Sequence, residues 1–190
     1  VHTAFAKCIG ELIKLNSQNN IQTHVIYDSS TVLLTQRERL ATEALNVGSE
    51  YCLWIDSDMA FPPTTAMRLL AHNKDIVAAN YVRRQPPFKG VAYTTIGDWE
   101  NPLPYEPQDQ LVEVEGIGMG CMLMRTKIFT ELPKPWFEFQ YTPESNDHLG
   151  EDMILCDKMN NAGYKIYVDT LLSMETRHIG TWAFGPDLIQ

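Results

Sequence analysis

The hydrophobic pattern opens on a helical period. Phe5, Cys8, Ile9, Leu12, Ile13 and Leu15 recur at helix spacing and predict a helix almost from the first residue. Ile21 to Tyr27 then alternates, with Ile21, Thr23, Val25 and Tyr27 set against Gln22, His24 and Ile26, and predicts a strand ending at Asp28-Ser29-Ser30. A second helix is predicted over Gln36 to Val47, with Leu40, Ala41, Ala44 and Leu45 inward and Gly48 as its stop. Next come an apolar strand over Tyr51 to Ile55, a helix over Thr64 to Asn73 entered through Pro62-Pro63, and a buried strand over Asp75 to Ala79. Strands and helices alternating through short connections predict an α/β sheet with its ligand crevice outside the carboxyl ends of the strands. Asp28 and Asp56 fall at such ends.

The second half is less regular. Gln85 to Gln110 is Pro-rich and carries Phe88, Tyr93, Trp99 and Tyr105, which reads as a short strand followed by an ordered loop, either functional or a plain surface excursion. Leu111, Val112 and Val114 lead into Gly116-Ile117-Gly118-Met119-Gly120 and the sulfur-rich run Cys121 to Met124. If this stretch is extended, its three glycines face one side and let a ligand or another backbone approach closely. It is not a phosphate loop, because no Lys-Ser or Lys-Thr follows, and the spacing is not that of a dinucleotide fingerprint. A short helix is predicted over Arg125 to Leu132, a longer one from Gly150 through Met159 to Ala162-Gly163, and a strand over Lys165 to Val168. Leu171 to Arg177 then leads to His178-Ile179-Gly180-Thr181-Trp182.

Composition narrows the classes. The 190 residues, 44% of them hydrophobic, suit a single domain with a real core. No apolar run approaches the roughly 20 residues of a membrane span and no signal peptide is visible, so a soluble, cytoplasmic protein is expected. A formal charge of -9 argues against nonspecific nucleic-acid binding, and it means that an anionic substrate needs a metal or a local basic group. Cys8, Cys52, Cys121 and Cys156 are widely spaced without a CxxC pair, which fits buried reduced thiols rather than disulfides or a zinc site.

Candidate chemistry collects at three places. Asp56 and Asp58 follow the strand over Tyr51 to Ile55, and on an extended chain two such carboxylates point the same way and suit a hard divalent cation, magnesium or manganese. A role as helix cap or turn before Pro62-Pro63 explains them equally well. Glu151 and Asp152 occupy the first turn of a helix, where acidic groups gain from the dipole, but the polar loop Glu144 to His148 before them is a place where a carboxylate can face a cleft. His178 is either structural or a third ligand for a carboxylate-bound ion. Trp99, Trp136 and Trp182 suit either sugar-binding platforms or core packing.

Taken in order, the apolar strand, Asp56-Ser57-Asp58, the glycine-rich strand, Glu151-Asp152 at a helix start and the late His178-x-Gly180 resemble the GT-A fold glycosyltransferases, particularly the compact family 2-like enzymes of viruses and bacteria. The similarity spans residues from about 20 to 182. It implies a GT-A, Rossmann-like three-layer fold around a central mixed, mostly parallel sheet. The single domain, 1–190, would have a nucleotide-sugar half over about 1–82 and an acceptor half over about 83–190. The resemblance implies a manganese or magnesium ion on Asp58, Asp56 and His178, with Asp56 otherwise on the ribose, bridging the diphosphate of a UDP- or GDP-sugar. Asp152 would be the general base of an inverting transfer to a glycan hydroxyl, and Glu151 would contact acceptor or orient the base. Asp28 would close the strand under the nucleotide and Arg37 would face the donor. A viral enzyme of this kind would work in the host cytoplasm. The family's opening strand, which carries part of the nucleoside pocket, has no counterpart from Val1 onward.

Other classes fit less well. A nucleotidyltransferase on a related fold typically has a glycine-rich phosphate loop with a basic residue near its start, and Val1 to Asn20 shows none. A phosphatase of the Asp-x-Asp-x-Thr type has threonine where Ala60 stands. A noncatalytic carbohydrate-binding protein would keep the aromatics and lose turnover.

Overall fold

Helix α1 (Thr3–Gln18) follows from the first apolar stripe, and its Leu12 and Asn16 are buried. The computed structural model describes residues 2–108, 110–143, 146–180 and 183–186. Helix α2 (Leu33–Asn46) begins three residues before its predicted start and ends one residue before its predicted end, with Gly48 at φ 68° supplying the left-handed turn that other residues take at a cost. Strand β1 (Tyr51–Ile55) matches the prediction residue for residue, and the turn beyond it leads to β2 (Met59–Ala60). Helix α3 (Thr65–Ala71) and strand β3 (Ile76–Ala78) lie within their predicted ranges. Among its described residues the Pro-rich stretch contains one strand, β4 (Ala92–Tyr93).

Strands β5 (Val112–Val114), β6 (Gly116–Ile117) and β7 (Cys121–Arg125) come next, followed by the short helix α4 (Ile128–Glu131). A hairpin of β8 (Gln140–Thr142) and β9 (Asp147–Leu149) leads directly into α5 (Glu151–Asn161), which is closed by Gly163 at φ 89°. The chain ends in β10 (Ile166–Val168), α6 (Thr170–Ser173), β11 (Arg177–Ile179) and β12 (Ala183–Phe184).

The central sheet is mixed, in the order β1-β7-β3-β10-β5. Only β3 and β10 are parallel neighbours; the pairs β1/β7, β7/β3 and β10/β5 are antiparallel. The expectation of a mostly parallel sheet is therefore corrected. Helical crossovers do give β1, β3 and β10 a common direction, as the alternating pattern implies, but β7 arrives from the glycine turn and inserts antiparallel between β1 and β3.

Period-2 alternation divides the sheet residues between two faces. On one face Trp54, Ile76, Ala78, Met122, Met124, Ile166 and Val168 pack with Ala41 of α2, Phe129 of α4 and Leu155, Cys156 and Met159 of α5. On the other, Val77, Cys121 and Leu123 meet Leu69 of α3 and Leu172 of α6. The result is three layers, with α1 packing at the side through Leu12 against Met59, Phe61 and Ala66. All four cysteines are free, and burial pushes the Cys52, Cys121 and Cys156 thiols up to about 12. No helix among the described residues is long and apolar enough to cross a membrane.

One predicted element is missing. Ile21 to Tyr27 has no strand partner among the described residues, and its Val25 and Tyr27 are 45% and 84% exposed. Its alternation expresses β propensity, but a strand needs a neighbour for its backbone groups, and β1 has its ladder on the β7 side.

Candidate functional site

The carboxyl ends of β1 and β3 and the amino end of β7 lie at one edge of the sheet, since Ile55 sits opposite Cys121 and Ala78 opposite Met122. Asp56 follows β1, Tyr81 to Arg84 follow β3, and Gly118 to Gly120 precede β7. The strand ends, where a crevice is expected, are thus where the charged residues gather.

Asp56 and Asp58 do not form the expected pincer. The chain turns at this point, with the Met59 N–H donating to the Asp56 carbonyl at 3.0 Å, so the alternation of an extended strand no longer applies. Asp56 faces Arg37, whose Nη2 lies 3.2 Å from Asp56 Oδ1. The same guanidinium places Nε 3.3 Å from Glu151 Oε1. Arg37 and Glu151 are 8% and 7% exposed, and Arg37 lies 5.7 Å from the Trp54 ring centre, so a buried ion pair, extended to the partly exposed Asp56, joins α2, the end of β1 and the start of α5. Arg37 is committed to these two carboxylates rather than turned toward an open cleft.

Asp58 turns the other way. Its Oδ2 lies 3.4 Å from His178 Nε2 and 3.0 Å from Arg84 Nη1. Strand β11 delivers the histidine, pairing His178 with Met59 of β2, and the Ile179 N–H donates to the Asp58 carbonyl at 2.6 Å. His178 Nδ1 lies 3.2 Å from the Val82 carbonyl. A carbonyl only accepts, so Nδ1 carries the hydrogen, and in the neutral ring Nε2 presents a lone pair to the carboxylate. Beside Arg84 on the same oxygen, the meeting of Nε2 and Oδ2 is satisfied by a proton on Nε2 or by a metal ion. A backbone carbonyl fixing the distal nitrogen is also the usual support of a metal-binding histidine. Hydrogen bonding from His178 holds the Asp58 carboxyl below its ordinary value against partial burial, with the charges of His178 and Arg84 adding to the effect.

These residues fit a divalent cation in part. Asp58 and His178 are a carboxylate and an imidazole 3.4 Å apart, close to the roughly 3 Å between neighbouring ligands of a six-coordinate ion. No group of three or more His, Cys, Asp or Glu residues positioned for a metal occurs among the described residues, with Asp56 drawn off to Arg37. Magnesium is usually held by one or two carboxylates with water and phosphate oxygens, so Asp58 fits it and the His178 imidazole favours a softer divalent ion.

Asp152 stands beside the buried Arg37–Glu151 pair at the start of α5. Burial, followed by the charge of Glu151, raises its pKa to about 6, and Asp56 adds to this while the Met153 N–H and Arg37 oppose it. The Met153 N–H donates to Asp152 Oδ1 at 2.8 Å. A carboxylate with this value is set to accept a proton near neutral pH.

Asp28 is not part of this cluster. It accepts from the Ser30 N–H at 2.6 Å and pairs with Arg39 at 3.7 Å, which makes it a turn residue at the end of a strand that does not form. Trp136 is 3% exposed and packs on Phe129, while Trp99 is half-exposed and meets Tyr93 edge to face. Trp182, Thr181 and the Glu144-Ser145 part of the polar loop lie outside the described residues. An open groove of about 550 Å³ along α2, lined by Leu34, Glu38, Arg39 and Lys134 among others, contains none of the predicted site residues.

Sequence reasoning missed Tyr81 and Arg84. Tyr81 fills the space that two of the three alternating glycines create: a Cβ on Gly118 would lie 2.4 Å from its hydroxyl oxygen and one on Gly120 2.7 Å from its ring, whereas Gly116 faces Met153 and Ile96. The Gly120 N–H donates to that hydroxyl at 3.1 Å, and the ring meets His178 edge to face at 5.3 Å. Burial, then the charges of Asp56 and Asp152, pushes the phenol well above its ordinary value. The available signal was Tyr81-Val82-Arg83-Arg84 at the end of a buried strand, a basic pair in an acidic chain.

No family model and no curated protein matches the chain. Among solved structures it is similar to the crystal structure of A197 from STIV, with a TM-score of 0.61 and 20% identity over 93% of this chain and 83% of that one. At this identity the likeness concerns the fold: an α/β arrangement around a central mixed sheet.

Proposed function

We propose that the chain is a metal-dependent glycosyltransferase of the GT-A type, transferring a sugar from a UDP- or GDP-sugar to a glycan hydroxyl with inversion. The observation that carries this reading is the pairing of Asp58 with His178, whose Nδ1 is committed to the Val82 carbonyl, at the strand ends of a mixed α/β sheet. Manganese or magnesium held by Asp58 and His178 would stabilise the negative charge that develops on the diphosphate leaving group.

The chain's own residues supply the rest. Asp152, with its pKa raised to about 6, takes the proton of the acceptor hydroxyl as that oxygen attacks the anomeric carbon from the face opposite the leaving group. Glu151 is 7% exposed and paired with Arg37, so it does not contact acceptor; its charge raises the proton affinity of Asp152. Arg37 joins Asp56 on the donor side to Glu151 beside the base, and so fixes the distance between the two halves of the reaction.

A thermal-shift panel of nucleotide-sugars with and without manganese tests the reading, since a ligand that binds the native state raises apparent stability. A UDP- or GDP-sugar that stabilises the protein only with manganese, and then releases free nucleoside diphosphate, supports it. Stabilisation by a glycan alone, without nucleotide release, would indicate a carbohydrate-binding protein instead.

A further inference from the structure

Asp58 Oδ2, the oxygen that faces His178, is also held by Arg84 Nη1 at 3.0 Å, and the same nitrogen donates to the Ile179 carbonyl at 3.3 Å. Arg84 follows β3 and lies two residues beyond Val82, whose carbonyl orients the histidine. Its side chain is 44% exposed, whereas Arg37 is buried and divided between Asp56 and Glu151. The neighbouring Arg83 donates instead to the Pro87 carbonyl at 2.9 Å. Arg84 is therefore more mobile than Arg37, and Asp58, partly buried, is left with His178 beside it when Arg84 leaves. With its guanidinium half-exposed, this pair is held less firmly than the buried Arg37–Glu151 pair, and it sits on the candidate metal ligand itself.

We infer that Arg84 is an exchangeable counter-cation: it neutralises Asp58 in the free protein and binds the diphosphate of the nucleotide once a divalent ion occupies Asp58 and His178. The inference rests on the glycosyltransferase reading. A divalent ion on Oδ2 repels the guanidinium, while phosphate oxygens on that ion attract it. The planar fork of arginine matches two phosphate oxygens and its long stem keeps it in reach. In a chain of net charge -9, this meets the need for a local basic group at an anion site.

Calorimetry on the full chain tests the exchange, first with manganese alone and then with UDP and GDP at saturating manganese. Arg84→Gln is expected to bind manganese several-fold more tightly, because its competitor is gone, and the nucleoside diphosphate about 10- to 100-fold more weakly, the scale of one charge-assisted hydrogen bond. Arg84→Lys should restore the manganese value and only part of the nucleotide affinity. Arg83→Gln makes the same charge change next door and should alter neither. Circular dichroism and melting temperature show whether each variant is folded. Weaker manganese binding in folded Arg84→Gln, nucleotide affinity within twofold of wild type, or an equal effect of Arg83→Gln would each overturn the exchange and leave the glycosyltransferase reading standing. Wild-type protein that binds neither manganese nor nucleotide would overturn both.

Discussion

His178 Nε2 lies 3.4 Å from Asp58 Oδ2 although 120 positions separate the two residues in sequence. Two short strands bring them together, β11 pairing with β2 so that His178 sits opposite Met59, the residue after Asp58. With Nδ1 given to the Val82 carbonyl, the free nitrogen and the carboxylate oxygen share one cation position. Asp58→Ala and His178→Ala should each stay folded and each lose metal-dependent nucleotide affinity by at least about 10- to 100-fold, the loss produced even by removing an outer-sphere partner. Titration of UDP with and without manganese reads this out; a folded variant that keeps the wild-type metal dependence would remove that residue from the site.

Arg37 makes a different prediction. Its guanidinium is 8% exposed and compensates the buried Glu151 as well as the partly exposed Asp56, so Arg37→Met leaves the Glu151 carboxylate buried without a partner and should destabilise by about 3 kcal/mol. Urea denaturation measures the loss. A change below about 1 kcal/mol would mean that the pair is solvated.

Asp152 links pH to both stability and turnover. Its folded pKa, about 6, lies above the ordinary value of 3.8, so the folded state binds the proton more tightly than the unfolded chain. The stabilisation is fully present below the ordinary value and is lost as pH rises through about 6. Asp152→Asn, which stays neutral, should therefore gain in melting temperature over wild type as pH goes from about 4 to about 7. The same variant should lose transfer by about 100-fold or more with donor affinity retained. Near-normal turnover would remove Asp152 from the mechanism, and a pH-independent difference in melting would contradict its raised pKa.

Tyr81 and the alternating glycines form a coupled pair. Gly118→Ala places a methyl 2.4 Å from the Tyr81 hydroxyl oxygen and should cost about 1 to 3 kcal/mol by overpacking. Tyr81→Phe removes that oxygen and leaves ring carbon at 3.1 Å, so the double variant should recover part of the loss. A double-mutant cycle in denaturant gives the coupling, and strict additivity would show that the two positions do not meet.

Much of the fold was legible because most elements carry their own period. β1 and α5 lie where the apolar run and the acidic helix start put them, and Gly48 and Gly163 end α2 and α5 at positive φ. Legibility failed where neighbours decide. Ile21 to Tyr27 has the alternation of a strand and no ladder, and the glycines before β7 serve a tyrosine from another strand end. The direction of β7 could not be read from its sequence either, because apolar runs look alike in both orientations. At the site, Asp58 and His178 were named from residue type and order, but the turn that separates Asp56 from Asp58 breaks the period-2 rule. Arg84 was passed over because no local pattern ties it to a carboxylate 26 residues earlier.

The most direct test of the account is anomalous diffraction from crystals grown with manganese and UDP. The account predicts a manganese peak about 2.0 to 2.3 Å from His178 Nε2 and bound by the Asp58 carboxylate, with diphosphate oxygens completing its shell. Nucleotide bound without an ion there, or His178 still directed at Asp58 with manganese elsewhere, would contradict it.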